Sequence, residues 1–256
     1  MLHFYQGKES LLKEDAEEKQ IAAVKAKIAG FFDMKNVCFL FGSGTSTNAI
    51  PKMSVLMDRV KEALADNLNE KQQVTFGKVC EKNKDNLEAV LGVLYSRKAY
   101  LEGIELTDDK AKDRLKNTDD LIHKIEKAIF DCLNVDPSNE EYDKVLGIYQ
   151  KFYRRMALRN KDHSRICVFT TNNDLFNERA LDSENIHYIN GFTGGLNRYF
   201  NPALFNYSMS KRMDTSIDKF EPIENLIYLY KIHGSINWIE DKELNTNSYF
   251  KITLLM

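Results

Sequence analysis

Apolar residues recur along the chain with two different periods. Across residues 10–32, Ile21, Val24, Ile28 and Phe32 step by three or four, which predicts a helix with Ser10 at its N-cap. Val37-Cys38-Phe39-Leu40-Phe41 then runs continuously apolar into Gly42, the pattern of a strand buried on both faces in a parallel sheet. From residue 54 to about 160 the helical period dominates. Leu56, Val60, Leu64 and Leu68 form one stripe, and Leu87, Val90, Leu91, Leu94 and Tyr95 a second. Ile122, Ile125, Ile129 and Cys132 form a third, and Tyr142, Val145, Leu146, Tyr149, Phe152 and Met156 a fourth. So much helix between two strands far exceeds a crossover of about a dozen residues and predicts an all-helical insertion or subdomain over residues 54–160.

Strand patterns return at Ile166-Cys167-Val168-Phe169-Thr170-Thr171, at Ile186-His187-Tyr188-Ile189 and at Ile227-Tyr228-Leu229-Tyr230-Lys231-Ile232. Their carboxyl ends run into Asn, Asp, Gly and His, the arrangement of an open α/β sheet with its ligand at that edge. Residues 192–220 show little periodicity and read as a long surface loop.

Composition narrows the class without naming a function. The 256 residues are 43% hydrophobic and 29% charged with a net charge of −2, as in an ordinary globular protein, which argues against whole-molecule attraction to nucleic acid or acidic membranes. No apolar run reaches the 18 or so residues of a spanning helix, and the charged first thirty residues are unlike a signal peptide, so a cytoplasmic location is expected. Cys38, Cys80, Cys132 and Cys167 form no Cys-x-x-Cys pair; buried free thiols are expected, and no zinc or other metal site.

Three clusters carry candidate chemistry. Gly42-Ser43-Gly44-Thr45-Ser46 follows the first strand, where glycines admit a tight turn and bring backbone N–H groups close to a phosphate. It lacks the third glycine of a dinucleotide fingerprint, and the chain has no P-loop motif. Thr170-Thr171-Asn172-Asn173-Asp174 ends the second strand, and His233-Gly234-Ser235 follows the last. Taken singly each has an ordinary structural reading: a strand-to-helix turn, an Asp174 helix cap, and a structural His-Gly. A histidine at such an edge is also suited to general-base work near neutral pH.

In order and placement these clusters resemble the sirtuin superfamily, and more closely its bacterial sirtuin-like branch. The family's Gly-Ala-Gly-x-Ser turn is similar to residues 42–46, its Gly-Ile-Pro to Ala49-Ile50-Pro51, its Thr-Gln-Asn-x-Asp to residues 170–174, and its His-Gly-Ser to residues 233–235. The resemblance implies a Rossmann-like open parallel sheet over residues 1–53 and 161–256 with a large all-helical insertion at 54–160, and NAD as the substrate. It places Gly42, Ser43, Gly44, Thr45 and Ser46 on the pyrophosphate, with Asp174, Gly234 and Ser235 also in the cofactor site. Asn172 would position an attacking water and His233 would accept a proton. Glycosidic cleavage of NAD suits such a site, because nicotinamide is already a good leaving group and the protein mainly orients ribose and nucleophile in a dry pocket. No metal is required.

The departures are informative. The zinc module of the deacylases is missing, Thr171 replaces Gln, and Lys52-Met53-Ser54 replaces the family's Asp-Phe-Arg. Without a second wall for an acyl-lysine peptide, plain NAD hydrolysis is favoured. Zinc-less domains with helical insertions resemble those of bacterial anti-phage defence systems. Within that group Gly191-Phe192-Thr193-Gly194-Gly195 and Asn197-Arg198-Tyr199-Phe200-Asn201-Pro202 look like the subunit that assembles with a HerA-type hexameric ATPase. The same segment also reads as a tyrosine-rich loop packed on its own core. Homo-oligomerisation is expected by the same analogy. After Ser235 only residues 248–254 are strand-like, and nothing matches the family's Gly-Ser/Thr-Ser turn, so the resemblance implies a shortened chain or an incomplete half-site. Two other readings stand beside it. Lys151, Arg154, Arg155, Arg159, Lys161 and Arg165, interleaved with Phe152 and Tyr153, would contact nucleic acid, as in a DNA-binding or DNA-cleaving component of the same complex, or form a solvated face; and a non-catalytic scaffold would use the helical insertion for assembly.

Overall fold

The computed structural model describes residues 3–10, 12, 16–103, 109–159, 165–213, 219–241 and 249–252, and shows a mixed α/β protein. A small hairpin, β1 (Tyr5–Gln6) and β2 (Glu9–Ser10), precedes α1 (Glu17–Phe32). Ser10 is therefore a strand residue, contrary to the expected cap. The helix starts after Ala16, which makes no side-chain cap bond, and Glu17 and Glu18 place carboxylates at its positive end instead. Next come β3 (Cys38–Phe41), then α2 (Met53–Leu64), α3 (Glu70–Lys82), α4 (Leu87–Gly103), α5 (Asp109–Leu133) and α6 (Glu140–Ala157). The remainder holds β4 (Ile166–Thr170), α7 (Phe176–Ser183), β5 (Tyr188–Ile189), β6 (Phe192–Thr193), β7 (Tyr199–Phe200), β8 (Ser210–Arg212), β9 (Phe220–Pro222), β10 (Ile227–Lys231), β11 (Trp238–Asp241) and β12 (Tyr249–Ile252).

The chain divides into two compact units, residues 42–146 with 173–176, and the remainder. The division runs through α6, whereas the sequence pattern draws its boundaries at 53/54 and 160/161, the latter outside the described residues. The apolar stripe of α6 is cut by this boundary. Its start puts Tyr142 against Phe176, 4.9 Å between ring centroids, in the helical unit. Its end sets Tyr149 and Phe152 edge-on to Phe41 and Phe39, at 5.8 and 5.0 Å, in the sheet unit.

In the helical unit α5 packs against α2, α3 and α4, and Val60, Val90, Leu94, Leu121 and Ile125 are fully buried. The helix α3, which the stripes did not separate, starts with a capping box. Asn69 accepts from the Gln72 backbone N–H at 2.9 Å while Gln72 accepts from that of Asn69 at 3.2 Å.

In the sheet unit four strands are parallel in the order β3-β4-β10-β5. On β4 and β10 the period-two alternation buries Ile166, Val168, Thr170, Ile227, Leu229 and Lys231, while their neighbours are half-buried. The expectation that β3 is buried on both faces is corrected. As an edge strand it turns Phe39 and Phe41 to α6 and leaves Cys38 exposed and Leu40 70% exposed. Cys38 thus also departs from the expected buried thiol, whereas burial pushes the Cys80 thiol of the helical unit up to about 11.

The expected surface loop at 192–220 contains structure. Strands β6 and β7 form a hairpin that joins β12 and β11 in an antiparallel sheet, β8 pairs with β9, and Pro202–Asn206 is a 3-10 turn. Phe192, Phe200 and Trp238 pack with ring centroids 5.0 to 5.6 Å apart. Gly191 permits this: its φ is +82°, and a Cβ there would meet Phe200 at 2.5 Å. Gly191→Ala is expected to cost about 2 kcal/mol or more in denaturant unfolding, from left-handed strain plus overpacking. A cost under about 0.5 kcal/mol would show that the hairpin yields easily.

Candidate functional site

Strands β3, β4 and β10 are neighbours whose last residues lie in register, Phe41 beside Thr170 and Thr170 beside Lys231. The ladder continues one step further, with the Thr171 N–H donating to Phe41 O at 3.1 Å and the Ile232 N–H to Thr170 O at 3.0 Å. The three motif-bearing segments therefore leave the same carboxyl edge of one parallel sheet, where open α/β sheets bind ligands.

Beyond β3, within the helical unit, Ser43–Ser46 forms a 3-10 turn capped by Gly42. Thr45 donates to Gly42 O through both its N–H, at 3.0 Å, and its hydroxyl, at 2.8 Å. Ser46 is 1% exposed and its hydroxyl donates to Asp174 Oδ2 at 2.7 Å. Asp174, 4% exposed, accepts from the Phe176 N–H at 3.1 Å through Oδ1. The pair links positions 128 residues apart, so the Ser46 hydroxyl proton is committed to a carboxylate, and Asp174 also serves the start of α7, as its structural reading has it. Gly44 is different. It has no positive φ, and a Cβ there would meet nothing within 4 Å, so neither conformation nor packing asks for a glycine.

In the sheet unit Asn172 is 7% exposed, and its backbone N–H donates to Thr170 Oγ1 at 3.0 Å, which fixes the chain as it leaves β4. His233 is exposed in the turn after β10. Gly234 holds φ +80°, a left-handed geometry that favours glycine, and Ser235 O accepts from the Trp238 N–H at 3.1 Å. Asn172 is thus nearly buried and His233 exposed.

No family model matches the chain, and no curated protein matches it.

Sequence reading missed a buried polar cluster beneath this edge. Lys231 Nζ lies 3.1 Å from Glu178 Oε1 and 2.7 Å from Ser235 Oγ. Tyr153, fully buried, donates to Asn177 Oδ1 at 2.6 Å, and burial pushes its hydroxyl well above the ordinary tyrosine value, with the Glu178 charge adding to the shift. The available signal was parity: Lys231 occupies an inward position in an otherwise apolar strand, where a charge requires a partner.

Much of the basic run after Gln150 has protein partners. Arg154 pairs with Glu184 at 2.7 Å, Arg159 donates to Phe32 O at 3.2 Å and to Met34 O, and Arg165 donates to Glu224 O at 2.8 Å. Lys151 and Arg155 flank an apolar cavity of about 360 Å³ lined by Ile28, Phe31, Phe39 and Ile148. Lys161, from the same run, lies outside the described residues. Among the described residues no group of three His, Cys, Asp or Glu is placed to hold a metal ion, and no helix is long and apolar enough to cross a membrane.

Proposed function

We propose that this chain is a sirtuin-like NAD hydrolase, with a Rossmann-like sheet interrupted by an all-helical insertion, and that it releases nicotinamide and ADP-ribose as an effector of a bacterial anti-phage defence complex. The observation that carries the reading is the in-register exit of the three motif segments from adjacent parallel strands. In this reading Gly42, Ser43, Gly44, Thr45 and Ser46 serve the pyrophosphate, and Asp174, Gly234 and Ser235 also belong to the cofactor site, Asp174 bracing the first turn through Ser46. Asn172 orients water toward C1′ of the nicotinamide ribose. As the water oxygen bonds to C1′, the C1′–N bond breaks, its electron pair neutralises the pyridinium, and the water proton passes to His233. A homo-oligomer and a hexameric ATPase of the HerA type complete the proposed assembly, the sheet-edge chemistry belonging to this chain and the motor to its partner.

Gly44 offers a test that separates binding from folding. Because a side chain there meets open space, Gly44→Val is expected to keep the thermal midpoint while NAD binding, read by calorimetry, weakens at least about tenfold through blocked backbone approach. Unchanged NAD affinity in a folded Gly44→Val protein would remove the phosphate role of this turn.

A further inference from the structure

We propose that Lys231 is a positioning residue, clamping the His233-Gly234-Ser235 turn to α7 through Ser235 and Glu178; its role in hydrolysis rests on the NAD reading above. The ammonium group joins three elements of the sheet unit. It stands on the last residue of β10, donates to the Ser235 hydroxyl four residues on at 2.7 Å, and pairs with Glu178 of α7 at 3.1 Å. Its side chain is 1% exposed and that of Glu178 12%, so both charges are largely withdrawn from water. Such a burial is tolerated only with a close partner, and an apolar pair of similar volume often serves folding as well or better. Packing alone therefore does not account for a charge at this position. The Ser235 bond does, because β10 ends here and the chain must turn through the left-handed Gly234 before reaching Trp238.

Two backbone hydrogen bonds flank this turn. The Ile232 N–H donates to Thr170 O on the strand side, and the Trp238 N–H closes onto Ser235 O on the far side, at 3.0 and 3.1 Å. Lys231 ties the middle of the turn to the sheet interior. Glu178 in turn holds the ammonium: its Oε2 has no hydrogen-bond partner among the described residues, so Oε1 carries the pairing. Asn177, the residue before Glu178, receives the Tyr153 hydroxyl, which fastens the same helix to α6. The turn bearing His233 is thereby referenced to α7 and α6 as well as to its own strand.

The experiment compares the full chain with Lys231→Met, Lys231→Met/Glu178→Met and Ser235→Ala, reading thermal midpoint, amide exchange and NAD hydrolysis. Lys231→Met alone leaves Glu178 buried without its cation and is expected to lower the midpoint; the double variant removes both charges and recovers it. In the double variant and in Ser235→Ala, amides of residues 232–238 are expected to exchange about tenfold faster, the size of one charge-assisted hydrogen bond, while those of β4 stay protected. In the double variant, which leaves the cofactor-site Ser235 in place, kcat is expected to fall about tenfold to a hundredfold with KM little changed, as for a misplaced reacting group. Recovery of both turn protection and kcat in the double variant would overturn the proposal, and so would normal exchange in Ser235→Ala. If the unaltered chain releases no nicotinamide, the NAD reading fails while exchange at 232–238 still decides the clamp.

Discussion

Asn172→Ala is expected to lower the rate of nicotinamide release by about two to four orders of magnitude, the span associated with losing a positioned proton-transfer or nucleophile-orienting group. The side chain follows the strand end by two residues, is nearly buried, and stands on a backbone fixed by Thr170 Oγ1. Its amide has both a donor and an acceptor, which lets it hold a water in one orientation. In the proposed reaction that orientation matters as the C1′–N bond breaks, so the loss should fall on kcat with KM little moved. The backbone bond to Thr170 does not involve the side chain and survives the substitution. Steady-state kinetics beside a thermal melt measure both. A folded variant within about threefold of the unaltered rate would remove Asn172 from the reaction.

Ile125→Ala carries the largest expected effect on stability. Ile125 is fully buried at the middle of α5, among Leu121, Ile122, Val90 and Leu94. Its loss should cost about 2–5 kcal/mol, the lost transfer energy plus a cavity that helices on several sides relax into only in part. Denaturant unfolding monitored by helix signal reads this, with exchange of α4 and α5 amides identifying where stability is lost. A cost below about 1 kcal/mol would mean that these helices do not share the tight core their stripes define.

Which parts of this protein are legible in sequence follows from the range of the forces involved. The stripes of α2, α4, α5 and α6 and the apolar runs of β4 and β10 are local patterns, and the helices and parallel strands appear where those patterns put them. Strands of two residues, such as β6 and β7, are too short to show a period, so the hairpin they bring to the antiparallel sheet reads as loop. The exposure of Cys38 and Leu40 depends on β3 being an edge strand, which no residue of β3 itself encodes. Ser10 looks like a cap by residue type, yet its hydroxyl donates to Leu12 O at 3.3 Å in a segment outside the helix.

At the candidate site the order of the motifs was visible because each is contiguous. The bonds that give those motifs their shape were not. Ser46 meets Asp174 across 128 residues, and Lys231 meets Glu178 across two elements of different type. Composition gives no sign of either pair, and only the inward parity of Lys231 marks one end of the second. The exposed His233 likewise follows from where the turn after β10 lies, not from its neighbours in sequence.

The most direct measurement incubates the purified chain with NAD, alone and with a hexameric ATPase of the proposed type, and follows nicotinamide and ADP-ribose by chromatography beside Asn172→Ala. The account predicts that the two products appear in equal amounts and that both disappear in the variant. Product formation indifferent to Asn172, or none from the folded chain with or without the ATPase, would contradict it.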